Sequence, residues 1–195
     1  MLAASTVEAL TAALAHTEAA AERAGWDGPP ELIGLFDRAV TSTERDIEID
    51  PFPLEASAWR IPDPHRPGHD LPVPAVLQAI ADTLIPPTTP SWLPDWLHER
   101  GRTLIGFGFC CEGWATAGYP GYRPGDLNAV PAMADADAEV RLLTACDTDG
   151  RFYQVMRVRG EHTTTVTVVD QPPPQLRATT VTDALYRLVA IAAAR

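Results

Sequence analysis

Apolar and polar residues alternate most regularly between Asp137 and Asp170. Two apolar-rich runs, Val140–Cys146 and Phe152–Val158, flank Asp147-Thr148-Asp149-Gly150, and a third, His162–Val169, follows Gly160-Glu161. Asp and Gly between runs of β-branched and aromatic residues predict hairpin turns, because glycine reaches the positive φ that tight turns need. The stretch therefore predicts a three-stranded antiparallel meander. On its second strand a period of two sets Tyr153, Val155, Arg157 and Arg159 on one face. Phe152, Gln154, Met156 and Val158 fall on the other.

Elsewhere the period is mostly helical. Ser5-Thr6-Val7-Glu8 has the form of a capping box; Val7, Leu10, Leu14 and Ala21 follow near helical spacing, and Gly25 closes the helix. Its stripe is largely alanine, which suits close packing within the chain or a contact between two copies. Trp26-Asp27-Gly28-Pro29-Pro30 reads as a turn whose prolines start a short helix, Glu31–Val40, with Leu32, Leu35 and Phe36 inward. Ile47 and Ile49 alternate with Asp46, Glu48 and Asp50, a half-buried strand over Arg45–Asp50. Leu54–Ile61 is a further candidate strand, and Pro51 and Pro53 set the region at a sheet edge or bend.

Pro62–Pro74 is a proline-rich connection carrying His65, His69 and Asp70. Val73–Ile85 predicts a helix with Val76, Leu77, Ile80 and Leu84 on its apolar side, stopped by Pro86-Pro87. Ser91–Arg100 predicts a shorter one, capped by Ser91, with Trp92 and Trp96 a turn apart. Thr103–Trp114 reads as a strand in which Gly106 and Gly108 mark a bulge or a close backbone approach. Ala115–Asp135 shows no period and is expected to be a long loop. Thr180–Arg195 is the last helix, with Val181, Leu185, Leu188 and Val189 inward.

Strands in a contiguous block with helices before and after predict an α+β fold: an antiparallel sheet of about four to six strands, ending in the C-terminal three-stranded meander, with helices packed on one face. One domain is expected, with a helical segment over 1–41, a sheet with inserted helices over 42–170 and a C-terminal helix over 171–195. Regular βαβ alternation is missing, which argues against a doubly wound nucleotide fold.

Composition narrows the chemistry. The formal charge is −11, and all fifteen cations are arginine. A chain without lysine has no Schiff base, no pyridoxal anchor and no P-loop lysine. The acidity disfavours bare nucleic acid as a partner, since phosphate binding needs clustered cations. Three cysteines, two of them adjacent, make no secreted disulfide framework. Met1–Arg23 carries Glu8, Glu18 and Glu22 and does not read as a signal peptide, and no apolar run is long enough to span a membrane. The cytoplasm is the expected setting.

Familiar site patterns fail on geometry. Gly106-Phe-Gly108-Phe-Cys110-Cys111-Glu112-Gly113 resembles a phosphate loop, but Cys111 stands where its third glycine belongs and no helix follows. His65 and His69 lie among Pro64, Pro67 and Gly68, so they share no helix face, and adjacent Cys110 and Cys111 point to opposite faces of a strand. No spacing ties Cys110 or Cys111 to His98 or His162 as a catalytic pair, and no serine sits in a nucleophile elbow. Asp147-Thr-Asp149-Gly150 opens like a calcium loop, yet Phe152 and Tyr153 occupy ligand positions. No metal and no cofactor are called for.

One constellation remains: Glu112, Trp114, Arg141, Tyr153, Arg157 and Arg159. A phenol and two arginines on one strand face, joined by Arg141 from the next strand, form a set able to hold an acidic ligand or an acidic partner segment. The alternative is a sheet face laced by cross-strand pairs of Arg141 with Glu112 or Glu139. If the face is a site, the loop carrying Tyr119, Tyr122 and Arg123 is its natural lid.

The arrangement Glu112-Gly-Trp114, Glu139-Val-Arg141, then Ala145-x-Asp147-x-Asp149-Gly150-x-x-Tyr153 with Arg157-x-Arg159, resembles uncharacterised proteins of actinobacteria and their phages. It spans Thr103–Arg159, under a third of the chain, and Gly25-Trp-Asp-x-Pro-Pro has the same character. The resemblance implies a source and assigns no catalytic residue. The expectation is thus a non-enzymatic intracellular protein that binds another protein, with a homodimer open as its assembly. Trp59, Trp92, Trp96, Tyr119 and Tyr122 are candidate contact residues. The competing expectation is a small-molecule binder or enzyme using the Arg/Tyr face with Glu112 as acid or base.

Overall fold

The computed structural model describes residues 1–39, 45–84, 93–97, 102–115, 138–177 and 180–193. A first helix, α1 (Ala4–Ala24), leads into two strands, β1 (Glu31–Ala39) and β2 (Arg45–Pro51). A 3-10 turn at Ala56–Trp59, helix α2 (Val73–Thr83) and a short helix α3 (Leu93–Leu97) precede the long strand β3 (Thr103–Ala115). The strands β4 (Ala138–Asp147), β5 (Phe152–Val158) and β6 (Thr164–Val169) follow, then α4 (Pro174–Arg177) and α5 (Thr180–Ala193). All strand pairs are antiparallel, in the order β2-β1-β3-β4-β5-β6. The α+β sheet with its C-terminal meander is therefore as expected, and β2 lies at an edge, where its flanking prolines put it.

Three local expectations are corrected. Where a helix is expected over Glu31–Val40, Glu31–Ala39 form the strand β1, so the helical segment expected over 1–41 ends at Ala24. Leu32, Ile33, Leu35 and Phe36 are all buried, since β1 is covered on both faces, and such a run hides the two-residue period that marks a strand. Leu54–Ile61 is no strand: within it Ala56–Trp59 forms a 3-10 turn that drops Trp59 into the core. The capping box goes unused: α1 begins after Ala3 with no side-chain cap. Gly25 does close it, at φ 112°.

The sheet separates two cores. On one face Leu32, Phe107, Phe109, Cys146 and Phe152 pack with α2, α3, α4 and α5 through Val76, Leu77, Leu93, Leu97, Leu176, Leu185 and Leu188. These four helices gather on one face, as expected. The opposite face, carrying Ile33, Leu35, Leu143, Tyr153 and Val155, is closed by Leu10 and Leu14 of α1. Gly106 explains how β3 crosses the middle. The β1–β3 register shifts at Leu35/Phe36, with Leu35 opposite Gly106 and Phe36 opposite Leu104, leaving Ile105 as the extra residue of a bulge. A Cβ at Gly106 would collide with the Cys146 carbonyl oxygen, so the close backbone approach is real. No described helix is long and apolar enough to cross a membrane.

Candidate functional site

The Arg/Tyr face is real, and α1 lies on it. Thr6, Leu10, Leu14 and Glu18 form the buried stripe of this helix, at a strict spacing of four. Three of them suit a core; the fourth is a carboxylate at 0% exposure. A lone buried carboxylate is costly, so it must be paired. Arg157 supplies the pairing through a fork: Nε donates to Glu18 Oε1 at 2.7 Å and its terminal NH2 donates to Oε2 at 2.8 Å. The other terminal nitrogen donates to the Glu161 carbonyl at 3.1 Å. The hydrogen bond to Glu18 holds the Arg157 guanidinium above its ordinary pKa.

Arg141, 2% exposed, lies beside this pair. It donates to Glu112 from Nε at 3.1 Å and from a terminal nitrogen at 2.8 Å, to Glu22 at 3.2 Å, and to the Gly25 carbonyl at the end of α1. Glu18 is 3.6 Å away. The Trp26 ring faces the Arg141 guanidinium at 4.4 Å and that of Arg159 at 5.4 Å. Arg159, just past β5, donates to Glu139 at 2.5 Å and to both oxygens of Asp27 at 3.3 and 3.0 Å. Asp27, in the left-handed region at φ 67°, donates its own amide to Glu112 at 2.6 Å. The carboxylate oxygens of Asp27, Glu112 and Glu139 lie within 4.8 Å of one another, each already accepting from an arginine.

Tyr153 is on the same face but serves a different cluster. Its hydroxyl donates at 2.8 Å to Asp147, which is fully buried. The other carboxylate oxygen of Asp147 accepts the amides of Asp149 and Arg151, both at 2.9 Å, and Gly150 completes the turn at φ 80°. Asp147-Thr-Asp149-Gly150 is thus the expected hairpin turn. Burial, then the bond to Asp147, pushes the Tyr153 phenol above its ordinary pKa.

The structure thus brings Glu112, Arg141, Arg157 and Arg159 into one ion-pair network and sets Tyr153 apart in the hairpin. Trp114 lies on β3 opposite Glu139, in register. Tyr119, Tyr122 and Arg123, and with them the expected lid, lie outside the described residues, as do Trp92 and His98. Trp59 is core, at 8% exposure, and Trp96 packs edge-on against Phe36 and Phe52. Sequence reasoning missed Glu18 and Asp147. Glu18 was legible as an acid that continues the four-residue stripe of α1 toward Glu22, and Asp147 as the Asx residue that opens the hairpin.

A cleft of about 220 Å³ opens beside the network, lined by Gly25, Glu31, Cys110, Cys111, Glu112 and Arg141 among others. Cys110 faces the α1 core and Cys111 the other, on opposite sides of β3 as expected. Burial pushes both thiols up to about 12; Cys111 and acidic neighbours add to this at Cys110, Arg141 partly opposes it there, and Glu112 adds to it at Cys111. Neither is poised as a thiolate nucleophile. No protein-family model, curated protein or solved structure matches the chain.

Proposed function

We propose that the chain is an accessory protein that acts by binding another polypeptide, and that its contact is the outer edge of β6. One observation carries this reading: the two edges of the sheet are built differently. Asp46, Glu48 and Asp50 alternate along β2, which ends at Pro51, and Glu48 and Asp50 hold Arg102 at 3.1 and 2.8 Å. Charge and proline are the means by which sheet edges deter a further strand. β6 reads Thr-Thr-Val-Thr-Val-Val, without charge or proline, and its Val166 and Val168 are 40% and 37% exposed. Among the described residues no strand lies beyond it. Every second residue of such an edge directs its N–H and C=O outward, the row that an incoming strand pairs with.

Binding is favoured over catalysis because the guanidiniums of Arg141 and Arg157 are held by acids beneath α1 and the thiols stay protonated. The small-molecule reading requires a pocket lined by Glu112, Arg141, Tyr153 and Arg157; the cleft carries the first two only. Free Cys110 and Cys111 accord with a cytoplasmic setting, and the resemblance adds an actinobacterium or one of its phages as the source.

Affinity capture from an actinobacterial lysate to which the untagged chain has been added, run with a tagged wild-type chain and with tagged Val166→Lys, tests the reading. A discrete polypeptide set retained by the first and lost by the second is the expected result. The same set on both, or a defined turnover in a metabolite screen, contradicts it.

A further inference from the structure

We infer that the strand added at β6 is β6 of a second copy of this chain, giving a dimer with one continuous sheet; this rests on β6 being the contact edge. Two copies meeting edge to edge in antiparallel fashion are related by a two-fold axis normal to the sheet. That symmetry keeps the α1 side of one copy level with the α1 side of the other. Residues facing each other then point to the same side, so the admissible registers move in steps of two.

With the axis at Val166, the pattern of the edge is complementary to itself. Val166 faces the partner's Val166, Thr164 faces the partner's Val168, and Thr165 faces the partner's Thr167. The half-exposed valines of both copies form one strip on the α1 side, next to buried Val155 and Tyr153, which pair with Val166 and Val168 within the chain. Beyond the apolar centre, exposed His162 faces the partner's Asp170, and Glu161 faces the partner's Gln171. Asp170 is 75% exposed and bonded to Arg151 at 3.0 Å, which leaves its second oxygen for a neighbour. No like charges meet. Moving the axis to Thr165 reduces the overlap of the two strands, and moving it to Thr167 sets His162 against the partner's Pro172. The self-matching of apolar centre and polar ends, with each acid set against a His or Gln, favours a second copy over an unrelated strand.

Sedimentation of the full-length chain is expected to give twice the single-chain mass of 21.1 kDa, falling to one chain mass for Val166→Lys. Val166→Cys reads the register directly. Opposed Cα atoms in an antiparallel pair lie about 4.5–5.5 Å apart, within the span a disulfide bridges. Two copies of residue 168 are then roughly 13 Å apart along the strands. Val166→Cys should therefore form a covalent dimer on mild oxidation, several-fold more than Val168→Cys or the wild-type chain. A monomeric wild type with no Val166→Cys cross-link overturns the dimer, as does equal linking of the two variants. A monomer that still captures a polypeptide through β6 leaves the binding reading standing; a monomer that captures none contradicts both.

Discussion

Glu18 decides what the charged face is for. A carboxylate at 0% exposure, forked onto Arg157 and 3.6 Å from Arg141, is the hub that makes the arginines part of the interior. Removing one partner of a buried pair leaves the other uncompensated, so Glu18→Ala should lower unfolding stability by about 3–5 kcal/mol, read from urea denaturation. Replacing both partners, Glu18→Leu with Arg157→Met, should recover much of that loss, because an apolar pair needs no compensating charge. A Glu18→Ala chain as stable as wild type contradicts the hub. The thiols give a pH signature. Cys110 and Cys111 ionise near their ordinary 9.0 when unfolded and at about 12 when folded. Their contribution is fully present below about pH 9 and is lost as pH rises toward 12. The urea midpoint should fall over that window, and Cys110→Ala with Cys111→Ala should flatten the fall.

At the scale of elements, β3 carries the sharpest contrast. A methyl group at Gly106 meets the backbone of β4, whereas one at Gly113 meets nothing within 4 Å. Gly106→Ala should cost roughly 1–3 kcal/mol as overpacking, and Gly113→Ala well under that, both measured by thermal unfolding. The tight site was legible in the sequence because two glycines interrupt an otherwise apolar strand. The meander was legible too: its turns carry Asp and Gly, and its second strand keeps a period of two. β1 was not, because Leu32, Ile33, Leu35 and Phe36 are buried on both faces and Pro29-Pro30 mimics a helix start. The candidate site was half legible. Period two correctly grouped Tyr153, Arg157 and Arg159, but nothing within one strand reveals that a helix from the other end of the chain supplies Glu18 to cover them. The separation of 139 positions between Glu18 and Arg157 is the physical reason.

For the whole molecule, the Arg/Tyr face under α1 holds the fold together, and the proposed contact is the edge of β6, beyond which no described strand lies. Amide hydrogen exchange resolved by residue tests both halves at once, in dilute protein and at high concentration. Exchange in the buried turns of α1 and in β5 should be slow and independent of concentration, since opening them breaks the Glu18–Arg157 pair. The outward amides of β6 should exchange fast when dilute and slow several-fold when concentrated. Fast exchange along α1 together with β6 protection that does not change with concentration would contradict the account.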